Sequence, residues 1–147
     1  MSRGTVLTKA EILKQWYKEV WEDGKLDVIE DYFVSEPHNQ YIVPNFGIEP
    51  AEIREWVSVL RSFVTDIKVT IVHSIEEGDW LSAMLEIRCL NALSGQPVKV
   101  YQQIMLRFDG PLKAESYPSF DFIRFFEQLG QLPENTHALL LGGTKLE

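Results

Sequence analysis

From residue 12 the apolar side chains recur at steps of three and four: Ile12, Leu13, Trp16, Tyr17, Val20 and Trp21 form the stripe of an amphipathic helix. Thr8-Lys-Ala-Glu11 precedes it as a capping box, in which the threonine oxygen and the glutamate carboxylate serve opposite free amides. Gly24 supplies the stop. Leu26, Val28, Ile29, Tyr32 and Phe33 predict a second short helix that pairs with the first as a hairpin. Ser35 to Phe46 then mixes Pro37, His38, Asn39, Pro44 and Asn45 and reads as a loop, with a brief strand from Tyr41 to Val43. Pro50 suits the first turn of a third helix, where a missing amide costs nothing, and Ile53, Trp56, Val57, Leu60 and Phe63 mark its buried stripe.

From Asp66 the period changes to two. Ile67, Val69 and Ile71 alternate with Lys68 and Thr70, and Glu77-Gly78-Asp79 turns the chain into a strand from Trp80 to Leu93. Ser94-Gly95-Gln96-Pro97 makes the next turn, Val98 to Phe108 a third strand, and Asp109-Gly110-Pro111 the turn into a fourth from Lys113 to Tyr117. Phe122, Ile123, Phe125, Phe126 and Leu129 build a last helix that ends at Gly130. Three helices followed by an antiparallel meander and a short C-terminal helix predict an α+β fold. A curved sheet folded around helices leaves an open end, a pocket of apolar side chains with a few polar groups.

The 147 residues suit one domain, placed at 1–133 with a tail at 134–147. Leu139-Leu-Leu beside Gly142-Gly143 leaves two readings of that tail open, docked on the body or a partner, or frayed.

Composition narrows the chemistry. With 22 Asp and Glu against 14 Lys and Arg, net charge -8, no basic field exists to hold a phosphate backbone, so nucleic acid is not expected as a partner. Nor is a membrane, since the longest apolar run, Ala138 to Leu141, is far below the ~20 residues of a span. Cys89 stands alone in an apolar stretch and reads as a small buried hydrophobe, which with the absence of a signal-like N-terminus predicts a cytoplasmic protein. His38, His73 and His137 lack a second ligand at metal spacing, so neither a metal nor another cofactor is expected. Gly142-Gly143 has no strand before it or helix after it to cradle phosphate, and no serine sits in a strained elbow.

Four stretches, in this order and spacing, carry a family resemblance: Trp16-Tyr-Lys-Glu-Val-Trp-Glu-Asp-Gly-Lys-Leu-Asp27, Leu60-Arg-Ser-Phe-Val-Thr-Asp66, Glu76-Glu-Gly-Asp79 and Phe120-Asp-Phe with Gln128-Leu-Gly130. Together they resemble SnoaL-like polyketide cyclases of the nuclear-transport-factor-2-like superfamily, over about residues 8–133. The resemblance implies a cone-shaped sheet around the helices, a homodimer joined through the sheet face, and ring closure by an acid/base aspartate three positions before the Asp that opens the final helix. That opener matches Asp121, so the aspartate position falls on Pro118, which cannot titrate. The family's loop asparagine matches Asn39. Its strand pair of glutamine and histidine falls on Tyr101 and Gln103 or, in another register, on Gln102 and Ile104.

Substitute proton carriers are then Asp121 and His38, although an Asp before an amphipathic helix is commonly an N-cap and a loop histidine commonly solvated. Asn39, Tyr41, Trp56, Tyr101, Gln103 and Tyr117 are the candidate ligand contacts, and Trp16 and Tyr17 add aromatic area that serves a core equally well. The expected function is that of a SnoaL-like protein of unassigned activity, whose enzyme reading is a cofactor-free cyclase, isomerase or hydrolase acting on a small apolar, ring-bearing carbonyl compound. The alternative is a non-catalytic binding or dimerising scaffold.

Overall fold

The structure is a computed structural model that describes residues 6–39 and 49–147. Helix α1 (Lys9–Trp16) opens with the capping box: the Glu11 amide donates to Thr8 Oγ1 at 3.1 Å and the Thr8 amide to Glu11 Oε1 at 2.9 Å. It widens into a π-helical stretch, Tyr17–Glu22, and stops at Gly24 with φ +71°. Arg61 caps that end, Nε donating to the Trp21 carbonyl at 2.9 Å and a terminal nitrogen to that of Glu22 at 3.2 Å. A Cβ at Gly24 would lie 2.5 Å from the same guanidinium, so a side chain there would be strained by the backbone and would push Arg61 off its cap.

A 3-10 helix, Leu26–Tyr32, takes the place of the second α-helix and leads directly into β1 (Phe33–Asn39). The strand predicted at Tyr41 to Val43 lies outside the described residues. Helix α2 (Pro50–Phe63) starts with its proline in the first turn and passes without a loop into β2 (Val64–Glu77). Strands β3 (Trp80–Asn91), β4 (Pro97–Asp109) and β5 (Leu112–Phe120) follow, then α3 (Phe122–Leu129) and α4 (Thr136–Leu141). The sheet order is β1-β5-β4-β3-β2. The four long strands form the expected antiparallel meander, and β1 adds a parallel edge to β5. The expected α+β architecture is therefore present, with a mixed rather than purely antiparallel sheet. The parallel edge arises because β1 comes from the helical half of the chain and reaches β5 by a long connection, as parallel neighbours require.

One face of the sheet is concave and buried. Leu81, Ala83 and Leu85 on β3, with Ile104, Leu106 and Phe108 on β4, pack against Leu13, Trp16, Tyr17, Val20, Ile29 and Val57 from the helices. A second cluster, Val64, Ile67, Cys89, Val98 and Val100, is covered by Phe125 of α3. The tail is tied to α3: the His137 amide donates to Glu127 Oε2 at 3.0 Å, and buried Thr136 donates its hydroxyl to the Pro133 carbonyl at 2.6 Å. That amide is the main reason the Glu127 carboxyl is held below its ordinary range.

Candidate functional site

Between the concave sheet face and the helices lies a cavity of about 140 Å³, lined almost wholly by apolar side chains. Trp16, Tyr17 and Trp21 wall it from α1 and its π extension, Ile53, Trp56 and Leu60 from α2, and Phe122 and Phe125 from α3. Trp56 and Phe122 stack at 5.8 Å and 15°, joining two of those walls. An engineered cavity of similar volume, about 150 Å³, stays dry and takes benzene, so the space here suits a one-ring molecule.

Few polar groups reach this space. β4 contributes Gln102, half-buried, next to Tyr17, whose phenol burial drives well above its ordinary value, with Gln102 as its hydrogen-bond partner. Ser116 and Pro118 line it from β5. Pro118 pairs with Ile104 of β4, two residues beyond Ser116, which pairs with Asn39 of β1. Burial alone pushes the Cys89 thiol up to about 11, which keeps it protonated and a poor nucleophile.

Among the described residues Lys113 also lines the cavity, only 2% exposed. Strand β5 carries a bulge: Arg107 pairs with Glu115 but Phe108 pairs with Lys113, which makes Ala114 the extra residue. Strict alternation would put Lys113 on the same face as Glu115. The bulge reverses the alternation and aims it inward with Phe108, into the cavity wall. Its Nζ lies 3.4 Å from the Trp16 ring centre, 5.2 Å from that of Phe33 and 5.6 Å from that of Tyr32. Burial holds its pKa far below the ordinary lysine value. The aromatic faces favour the opposite, charged form: a desolvated cation–π contact returns about 2 kcal/mol or more, against a desolvation penalty of several.

The candidates read from sequence do not converge on this space. Trp56 lines the cavity, whereas Tyr101 and Gln103 point to the convex face, because the odd-numbered residues of β4 between 99 and 105 are outside and the even ones inside. It is the other register, Gln102 and Ile104, that faces inward. Tyr101 donates to Glu86 Oε2 at 3.3 Å, and Glu86 pairs with Arg88 at 2.6 Å. Tyr117 also lies outside, its hydroxyl donating to Glu115 Oε1 at 2.6 Å while Arg107 pairs with the same carboxylate. His38 is exposed on β1, with its ring 5.9 Å from that of Tyr117. Asp121 is exposed and caps α3, its Oδ1 accepting the Arg124 amide at 3.1 Å. Asn39 ends β1, and Tyr41 lies outside the described residues. Lys113 was missed because the bulge that turns it inward leaves no period-two signal. No group of three metal-ligating side chains occurs among the described residues, and no helix there is long and apolar enough to cross a membrane.

A helix-filled, curved and unclosed α+β sheet is shared with many solved structures. A proposed polyketide cyclase from Bacillus cereus superposes with a TM-score of 0.73 at 15% identity, covering 84% of this chain and 79% of its own. A proposed SnoaL-like polyketide cyclase from a Jannaschia species does so at 0.69 and 16%, covering 85% and 93%. A protein from Catenulispora acidiphila with a ketosteroid isomerase-like fold, solved with trimethylamine, gives 0.69 and 18%, covering 87% and 98%. The resemblance read from the sequence thus holds as a likeness of fold: the chain has the SnoaL-like, ketosteroid isomerase-like architecture. No protein-family profile and no curated protein matches the sequence.

Proposed function

We propose that this chain binds a small, apolar, one-ring carbonyl compound in the cavity and moves a proton next to its carbonyl without a cofactor, as a SnoaL-like cyclase or isomerase would. The observation that carries the reading is the cavity: about 140 Å³, aromatic on several sides, with polar groups on β4, β5 and the π-helical stretch after α1. Gln102 and Tyr17 supply donors for a carbonyl oxygen, and donors of this kind are worth most where water is excluded. Pro118, at the position the resemblance gives to an acid/base aspartate, means that proton transfer falls to another group. The solved neighbours described as polyketide cyclases support the substrate class by analogy of fold.

The convex face supports self-association. Val72, Ile75, Tyr101 and Met105 are exposed there, Ile75 at 74%, and we propose that a second copy covers them. The lone, buried, protonated Cys89 supports a reducing compartment, and the cytoplasm is the one we propose.

The test is deuterium exchange at the carbon beside the carbonyl of cyclic ketones, followed by NMR in heavy water, alongside quenching of the tryptophans that line the cavity. Quenching with protein-dependent exchange is the expected result. Quenching without exchange leaves a non-catalytic binding protein, and no quenching by any ring-bearing carbonyl compound overturns the proposal.

A further inference from the structure

We propose that Lys113 is a nucleophilic amine that captures the carbonyl carbon of an apolar aldehyde or ketone in the cavity as an imine. The inference rests on the carbonyl-binding reading above and assigns that site a covalent step.

Three observations meet at this side chain. It is 2% exposed, lines the cavity, and is directed there by a bulge at Ala114. A lysine kept for packing alone snorkels to water or pairs with a carboxylate. Among the described residues Lys113 does neither: its nitrogen sits among the rings of Trp16, Tyr32 and Phe33, and the nearest carboxylate along its strand, Glu115, serves Arg107 and Tyr117 on the other face.

Among the described residues, no carboxylate is paired with it. Tyr32 donates its hydroxyl to Glu19, Tyr17 faces Gln102, and the Cys89 thiol stays protonated. Desolvation favours the form with a free lone pair, against the pull of the three aromatic faces towards the cation.

The step balances without an oxidant or reductant. The Nζ lone pair attacks the carbonyl carbon, the carbonyl π pair moves to oxygen, and a proton passes from nitrogen to that oxygen. The carbinolamine then loses water as the C=N bond forms, so amine plus carbonyl gives imine plus water. Tyr17 and Gln102 line the same space and are placed to donate to the oxygen as it becomes hydroxide and leaves. A protonated imine acidifies the neighbouring carbon, the bond from which a cyclase or isomerase removes a proton.

The experiment is reductive trapping with benzaldehyde and cyanoborohydride at about pH 6, where a lysine of ordinary pKa is neutral in only about one molecule in 10⁴. Intact mass and peptide mapping read the product, and tryptophan quenching reads occupancy of the cavity. The expected product is one benzyl group on Lys113, formed at least about tenfold faster than at any exposed lysine. It is lost in Lys113→Met and Lys113→Arg and unchanged in Lys99→Arg. Quenching with Lys113 unlabelled, or with label spread over exposed lysines, overturns the imine while leaving the binding reading intact. If quenching and labelling are both absent, both proposals fall.

Discussion

The two faces of one sheet treat the same kinds of side chain in opposite ways. On the convex face Glu86, Arg88 and Tyr101 bond to one another, as do Arg107, Glu115 and Tyr117. There each charge is hydrated as well as paired, and such pairs are worth about 0–1 kcal/mol. On the concave face, a few residues away along the same strands, Lys113 meets three aromatic rings and the phenol of Tyr17 meets an amide. Water no longer competes inside, which raises the energy of every polar group there and the consequence of where it is aimed.

A pair of substitutions tests that contrast where it is largest. Val100→Asp places a carboxylate among Val64, Ile67, Cys89, Val98 and Phe125, with no cation in the cluster. An uncompensated buried charge costs about 3–5 kcal/mol, a large part of the 5–15 typical of a domain. Gln103→Asp, three positions along β4 on the exposed face, is expected to stay within about 0.5 kcal/mol of the parent. Urea midpoints read both, and equal losses would mean that the two faces do not differ as described. Leu106→Ala ranks next: the side chain is fully buried under the helices and should cost about 2–5 kcal/mol by the same measurement.

Most of this architecture could be read from the sequence, because helix and strand periods are local properties that burial enforces. The Thr8 capping box, the glycine stops at Gly24 and Gly130 and the hairpin turns all appear where the residue types predict them. The site was harder to read. Alternation along β4 groups Tyr101 with Gln103 and Gln102 with Ile104, but nothing in the alternation says which pair faces inward when a polar residue occurs in both. The buried valines at 98 and 100 carried that information, since they share a face with Gln102. Lys113 was beyond any such count, because a single bulged residue inverts the pattern at the start of β5.

Lys113→Met tests the inward environment with the opposite sign. Methionine has similar length and no group to desolvate, so the variant should be more stable by on the order of 1–3 kcal/mol near neutral pH. The folded protein holds Lys113 at a lowered pKa, whereas the unfolded chain binds its proton up to about 10.4, so below that pH the unfolded state carries the extra proton. Parent stability therefore rises with pH between the lowered folded value and about 10.4, and the advantage of Lys113→Met shrinks over the same window. Denaturation midpoints from pH 6 to about 10.5 read the difference. A constant gap across that range would mean that the buried amine is not neutral in the folded protein.

The smallest effect separates a cap from a proton carrier. Asp121 accepts the Arg124 amide at the start of α3, whose Phe122 and Phe125 line the cavity. Removing the acceptor with Asp121→Ala should cost about 1 kcal/mol, while Asp121→Asn, an equally good cap, should cost almost nothing. Neither substitution should change tryptophan quenching by benzaldehyde or the yield of trapped Lys113, because the carboxylate is exposed and bonded to backbone. A loss of ketone deuterium exchange in Asp121→Asn, with stability and quenching intact, would instead make the carboxylate a proton acceptor and move part of the chemistry from the concave face to the edge of α3.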